Sequence, residues 1–259
     1  MMRLGRRSTL LGAGVVVAAL ACGEVPTLDE GIAYISPIIL PAPAVAVGDQ
    51  LRDSLGNVAP LRIEAFGRND EQLPDPQASF LPTVVPSPIS IDADGIVTAS
   101  DTVSTVKTVQ LVGRVGSKLQ TTAVSLLIVP QPDSLGRTSD SLKTAALPVS
   151  DTMRVTVTGV NRARARVAVP GIIVRYRIAD VYGSGKDAAT AVLTLEGGAL
   201  SRPDPRMAVD TTDASGLASR TLVVAGENVD SVVVYVRARS LRGEPLRGDS
   251  LRFILRPKP

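Results

Sequence analysis

Between Asp151 and the end of the chain, apolar and polar side chains take turns. Met153, Val155 and Val157 stand between polar neighbours, and Val174, Tyr176 and Ile178 alternate with Arg175 and Arg177. Near the end, Leu251, Phe253 and Leu255 face one way while Arg252 and Ile254 face the other. A period of two marks a strand with one buried face, because successive strand side chains point to opposite sides of the sheet. Shorter runs of the same kind fill the first half between clusters of Gly, Pro, Asp and Asn, with no strong helical period among them. The chain contains three Phe, four Tyr and no Trp. The chain is rich instead in valine, threonine, serine, glycine and proline, a composition that favours short strands and turns. The expected class is all-β.

The strand candidates form two groups. In residues 31–130 they are Ile32–Ile39, Ala44–Val47, Leu61–Phe66, Ile89–Ile91, Ile96–Ala99, Val106–Val115 and Thr122–Val129. In residues 151–259 they begin with the alternating runs above and continue with Ala189–Leu195, Met207–Thr211, Ala218–Val224, Ser231–Ser240 and Ser250–Leu255. Residues 131–150 hold two prolines and many small polar side chains, and are expected to be a linker, with a short helix near Asp140–Ala146. Two β-sandwich domains of about 100 residues each are therefore expected.

Two tight turns organise the first half. Asp53-Ser54-Leu55-Gly56-Asn57 and Asp92-Ala93-Asp94-Gly95 place glycine where positive φ is needed and a carboxylate where it can hold its own backbone amides. The second, flanked by Ile89/Ile91 and Ile96/Thr98, predicts a hairpin. Asp92 and Asp94 are also weighed as calcium ligands. Calcium takes about six to eight oxygens, and the run lacks the glutamate and spacing of an EF-hand, so the turn reading is preferred and no metal site is expected.

At the other end, Arg3, Arg6 and Arg7 precede an uncharged run of 13 residues, Thr9 to Ala21, which stops at Cys22, the only cysteine. This is the layout of a signal peptide, residues 1–21. Spanning a bilayer takes about 20 helical residues, so the run is too short for a stable transmembrane anchor. Ala19-Leu20-Ala21-Cys22-Gly23 resembles a bacterial lipobox, although leucine is commoner than alanine at the first of these positions. The resemblance implies lipidation of Cys22, with residues 22–30 as a tether. Gly23 in place of aspartate resembles the default that sends such proteins to the outer membrane. The implied location is the cell envelope, with the membrane a partner through the lipid. Arg6-Arg7-Ser8-Thr9-Leu10-Leu11 also looks like a loose twin-arginine export signal.

Charge narrows the function. Without the three signal-peptide arginines the 28 basic residues become 25, against 25 acidic ones. That balance removes most of the support for nucleic-acid binding. The absence of histidine excludes Ser-His-Asp and Cys-His catalysis, imidazole zinc sites and any histidine general base. No catalytic residue, cofactor or small-molecule substrate is expected. Carboxylate pairs such as Asp92/Asp94 and Asp210/Asp213 read as turn residues. The neutral total hides a division, because residues 22–150 hold 8 basic and 14 acidic side chains while residues 151–259 hold 17 and 11.

The turn residues point to a family. Val45-Ala46-Val47-Gly48-Asp49, the Asp53–Asn57 turn and Ile91-Asp92-Ala93-Asp94-Gly95-Ile96-Val97-Thr98 resemble group 2 bacterial immunoglobulin-like domains, without the usual tryptophan and with a longer, proline-rich stretch at 67–88. Val169-Pro170-Gly171-Ile172-Ile173-Val174-Arg175-Tyr176 and Thr211-Thr212-Asp213-Ala214-Ser215-Gly216-Leu217-Ala218 resemble group 1, the type of invasin and intimin stalks. The resemblance implies tandem immunoglobulin-like β-sandwiches acting as spacer, adhesion-like or binding modules, or as an accessory subunit of a larger envelope complex. Arg162, Arg164 and Arg166, Arg175 and Arg177, and Arg237 and Arg239 each alternate, which places each set on the solvent face of a strand. They are read either as an ordinary solvated surface or as a site for anionic glycan, lipid headgroups or an acidic envelope protein.

Overall fold

The structure is a computed structural model that describes residues 31–74, 76–116, 119–138, 149–183, 191–194, 204–224 and 229–256. The expected signal peptide, the expected tether with Cys22 and the helix expected near Asp140–Ala146 lie outside the described residues. The first half contains β1 (Tyr34–Ile35), β2 (Ala44–Ala46), β3 (Ala65–Phe66), β4 (Gln72–Leu73), β5 (Ala78–Pro82), β6 (Ile89–Ile91), β7 (Val97–Ala99), β8 (Lys107–Val115), β9 (Leu119–Gln120) and β10 (Val124–Val129). The remainder contains β11 (Pro132–Arg137), β12 (Val149–Val160), β13 (Arg166–Ala168), β14 (Ile173–Gly183), β15 (Ala191–Thr194), β16 (Met207–Thr211), β17 (Leu217–Val224), β18 (Val229–Ala238) and β19 (Leu251–Leu255). The protein is all-β and forms tandem immunoglobulin-like sandwiches.

In the first half the main sheet runs β2-β10-β8-β5, with β9 on β8, and a small sheet β1-β3-β4 and the β6-β7 hairpin lie against it. Leu51, Leu111, Leu126 and Ile128 are fully buried in one core with Val45 and Val97. The hairpin follows the expected turn, Ile91 opposite Val97 and the Asp92 amide donating to Ile96 O at 3.2 Å. The strand expected over Ile32–Ile39 contracts to Tyr34–Ile35 and an isolated bridge from Ile39 to Arg62, because Pro37 interrupts the ladder. Strand β5 lies in the proline-rich stretch for which no strand was expected. It is an edge strand, and Pro82 closes it where a missing N–H leaves no neighbour unpaired.

The second sandwich packs the sheet β11-β12-β17-β15, with β13 on β12, against β16-β14-β18-β19. Its core contains Met153, Val155, Val157, Val174, Tyr176, Leu193, Leu222, Val234, Val236 and Leu255, each at 1% exposure or less. The expected linker requires correction. Pro132–Arg137 forms β11, paired antiparallel to β12 through Leu135 opposite Val157, and Leu135 is buried. Arg247 N donates to Asp133 O, and Leu135 N donates to Arg247 O, both at 2.9 Å, so the strand also ties into the loop before β19. One apolar side chain among polar ones gave no periodicity to read.

Two guanidinium groups close the edges of the β16-β14-β18-β19 sheet. Arg220 on β17 donates to Val209 O of edge strand β16, and Arg137 on β11 donates to Arg252 O of edge strand β19. Occupied edge carbonyls leave less of a template for another strand. Arg220 is itself buried and pairs with Asp210 at 3.0 Å, whose carboxylate also accepts from Ser219 N at 2.7 Å and from Thr211 N at 2.9 Å.

If β11 belongs to the second sandwich, a fragment starting at Gln131 should fold better than one starting at Asp151. Loss of buried Leu135 alone is expected to cost about 2 kcal/mol or more. Urea denaturation followed by circular dichroism checks this, and equal midpoints for the two fragments would return residues 131–137 to a linker role.

Candidate functional site

Strand register decides where the arginines go. On β14, Val174, Tyr176 and Ile178 point into the core, so Arg175 and Arg177 point out. On β18 the same alternation turns Tyr235 and Arg237 outward, and Arg239 follows just past the strand end. Arg175 is paired directly opposite Arg237, and Arg177 opposite Tyr235. On the other flank of β14, Val209 lies opposite Arg175 and Met207 opposite Arg177, and on the far side of β18 Arg252 lies opposite Tyr235. Four of the arginines expected to form a site, Arg175, Arg177, Arg237 and Arg239, thus share one outer face with Arg252. Among the described residues none of these five makes an ion pair, and Arg239 donates only to Gly243 O at 3.2 Å.

The face borders a groove of about 470 Å³ lined by Arg175, Arg177, Tyr235, Arg237 and Arg239 from the second half and by Ser54 and Leu55 from the first. Met207 and Val209 expose about half their surface, and Leu55 is 68% exposed. Asp249 also lines the groove, with its Oδ1 held by Ala238 N at 3.2 Å.

Arg162, Arg164 and Arg166 are not part of this face, and the strand-face placement fails for the first two. Asn161 to Ala165 is a tight turn in which Asn161 Oδ1 accepts from Ala165 N at 3.0 Å and Arg164 takes φ 59°. Its chemistry matches Asp53, Asp92 and Asp213, whose Oδ1 atoms each accept the amides two and four residues on, with Gly56, Gly95 and Gly216 at positive φ. Arginine alternation here mimics a strand, and Asn161 was the signal of a turn. Arg166 does begin β13, where it reaches Asp133 at 3.3 Å and Thr158 Oγ1 at 2.7 Å, while Arg162 pairs with Asp101 at 3.8 Å.

The carboxylates are similarly engaged. Asp92 and Asp213 hold turns, and Asp210 holds Arg220 and Ser219 N. A larger, more open groove of about 850 Å³ in the first half is lined by Glu64 and Asp94 among others, with Asp94 exposed on the β6-β7 turn. Tyr176 is buried beneath the arginine face. Desolvation, reinforced by the Asp210 charge, pushes its phenol well above the ordinary range, so it stays neutral.

Nothing in the sequence announced the contact that joins the two halves. Asp49, 10% exposed at its side chain, accepts from Arg242 Nε at 2.7 Å, from Gln50 N at 2.8 Å and from Arg52 at 3.2 Å. Arg52 also donates to Gly56 O at 2.9 Å, bracing the turn that carries Leu55. Gly56 and Gly243 interlock: a Cβ on Gly56 would stand 2.3 Å from Arg242 O, and one on Gly243 would stand 2.3 Å from Leu55 O. Ala44 and Leu127 pack against Gly171 beside them.

No protein-family model and no curated protein matches the chain. Among solved structures it is similar to the adhesin InvE of Yersinia pseudotuberculosis, at 14% identity and TM-score 0.35, over 86% of this chain and 57% of that one. It is also similar to the D00-D0 domain of intimin, at 13% identity and TM-score 0.28, over 87% of this chain and 100% of that one. A third likeness is to Drosophila N-cadherin EC1-3, at 13% identity and TM-score 0.28, over 87% and 67%. At such scores these likenesses carry no functional argument. The fold rests on the strand pairing, and the resemblance to group 2 and group 1 modules rests on turn residues alone.

Burial alone would raise the Asp49 carboxyl, but hydrogen bonds from Arg242, Gln50 N and Arg52 outweigh it and hold the pKa below the ordinary range. A carboxyl held low in the folded state adds stability that is complete above its unfolded value, near about 3.9, and is lost as pH falls through the folded value. Below about pH 3.9 the junction is therefore expected to loosen while the apolar cores persist. Small-angle scattering should show expansion with an unchanged β-type circular dichroism spectrum, and Asp49→Ala should show it already at neutral pH. Identical scattering profiles in all these states would mean that other contacts hold the halves together.

Proposed function

We propose that the protein is a non-enzymatic binding module of the bacterial cell envelope, held at a membrane, the outer one in a double-membrane cell, by lipid on Cys22. Its contact surface is the outer face of the β16-β14-β18-β19 sheet. The observation that carries this reading is the placement of Arg175, Arg177, Arg237 and Arg239 on one exposed face with no carboxylate paired to them among the described residues. Like charges at opposed strand positions repel, so this arrangement costs the fold stability unless an anion lies among them. The first half then serves as a spacer between the anchor and this face, and also supplies one wall of the groove beside it.

The non-enzymatic reading is supported by what three of the carboxylates do. Glycoside hydrolysis needs two of them flanking a sugar, and those at 92, 210 and 213 are occupied by turn amides and by Arg220. The anchor rests on the sequence of residues 1–23, with the short apolar run ending at the one cysteine. Several acyl chains at about 0.8 kcal/mol per buried CH₂ would hold the protein firmly.

Two outcomes are expected. Cys22→Ser should abolish labelling by radioactive fatty acid and leave an uncleaved or soluble precursor, and an unchanged labelled band would refute the anchor. Because the mature chain is formally neutral, retention on a sulfonate resin near neutral pH should come from the arginine face and fall as salt shortens the Debye length from about 10 Å at 0.1 M to about 3 Å at 1 M. Arg175→Ser/Arg237→Ser should elute at clearly lower salt than Arg162→Ser/Arg164→Ser, which removes the same charge elsewhere. Co-elution of the two variants would remove the face as a distinct binding surface.

A further inference from the structure

Both halves contribute to the groove beside the arginines. Its floor is the outer face of β14 and β18, while one wall is the Asp53–Asn57 turn, whose Leu55 projects into solvent. We infer that this groove binds an acidic peptide segment of a partner protein, one that carries apolar side chains among its carboxylates. This rests on reading the arginine face as a contact surface, and narrows it to one ligand class.

Geometry supplies the acidic part. Neighbouring strands lie about 4.8 Å apart and alternate residues along a strand about 6.6 Å apart, so Arg175 and Arg237, directly opposite each other, form the centre of a staggered row that Arg177 extends one way along β14 and Arg239 the other way past the end of β18. Carboxylates at alternate positions of an extended chain have a comparable spacing. Every cation in this row is arginine, and in residues 151–259 only Lys186 and Lys258 of the 17 basic side chains are lysine. A solvated surface has no need of this bias. A guanidinium is planar, more weakly hydrated than an ammonium, and matches a carboxylate with two parallel hydrogen bonds.

The apolar part comes from what borders the row. Met207 and Val209 flank the arginines on β16, and Leu55 stands opposite, all substantially exposed. Arginine, tyrosine and methionine are enriched in protein–protein contacts, where lysine is depleted, and arginine and tyrosine dominate the energetic centres of such contacts. A uronate polysaccharide brings carboxylates but no hydrocarbon side chain to cover Met207, Val209 and Leu55. A bilayer presents a flat array of headgroups, whereas this site is a groove of about 470 Å³ beside a projecting turn.

The test uses the full mature chain carrying Cys22→Ser, titrated by calorimetry with four probes: a synthetic peptide of mixed Glu, Leu and Thr, the same peptide with Gln for Glu, hyaluronate, and phosphatidylglycerol vesicles. The acidic peptide should bind best and the Gln peptide should not bind. Arg175→Ser/Arg237→Ser should weaken the peptide about tenfold or more, as expected of central contact residues. Leu55→Ser should weaken it severalfold without changing its salt dependence, and Arg162→Ser/Arg164→Ser should leave it unchanged. Arg175 is half-buried and the other positions are exposed, and thermal melting of each variant checks that the fold is kept. Tighter binding of hyaluronate or vesicles, lost in the Arg175→Ser/Arg237→Ser variant, would overturn the peptide assignment while leaving the arginine face as a contact surface. Peptide binding that survives this variant would overturn the site. Absence of binding by any probe would remove both readings.

Discussion

Val174, Tyr176 and Ile178 on β14 and Val232, Val234 and Val236 on β18 are almost completely removed from water. Each such side chain contributes about 1.5–3 kcal/mol of burial, so together they fix the facing of both strands. A slip of one residue would exchange the faces, burying Arg175, Arg177 and Arg237 and exposing the core. The cation array is thus a consequence of core formation. It needs no stabilising contact of its own, and the opposition of Arg175 to Arg237 works against the sheet by a smaller amount, of order a few tenths of a kcal/mol to about 1 kcal/mol. A packed core outweighs that repulsion and holds the guanidinium groups in fixed positions, where a disordered basic segment would spend ordering entropy on binding.

The same economy appears at the junction. Three Asp-x-x-Gly turns and the related Asn161 turn use one side-chain oxygen to hold two nearby amides or one, and each reverses the chain with little sequence. In the Asp53 turn this local chemistry has a distant effect, because the reversal places Gly56 against the backbone of Arg242 and leaves Leu55 standing beside the groove. Asp49 then ties Arg52 and Arg242 to a single carboxylate. A wall of the groove is therefore positioned by contacts that also set how the halves meet. Whatever fills the groove touches both sandwiches, so its binding and the rigidity of the junction are thermodynamically linked.

Period-two alternation made the second half readable: β14, β16, β17, β18 and β19 lie where the alternation places them. The hairpin at Asp92–Gly95 was equally plain, since turn chemistry is local. What escaped were elements defined by partners rather than by their own pattern. Strand β11 has only Leu135 to anchor it, and β5 lies among prolines that an edge position tolerates. Arg162 and Arg164 have strand-like spacing but occupy a turn. At the site, alternation identified Arg175, Arg177, Arg237 and Arg239 as outward-facing. That they share one face, with Leu55 beside them, depends on strand order and on a contact between residues 193 positions apart, Asp49 and Arg242. No local pattern encodes either.

Arginine does three kinds of work in this molecule, and the acceptors it meets separate them. Arg220 and Arg137 donate to edge carbonyls and close the β16-β14-β18-β19 sheet. Arg52 and Arg242 converge on Asp49 at the junction, and Arg166 spans β11, β12 and β13. In both groups guanidinium nitrogens meet fixed acceptors, although Nε of Arg52 and of Arg220 is buried with no partner. Arg175, Arg177, Arg237 and Arg252 lack such acceptors among the described residues, and their donors are left to water. Water satisfies an isolated guanidinium well. It does not remove the mutual repulsion of several held on one rigid face, which dissolved salt screens in part and an anion seated among them would relieve further.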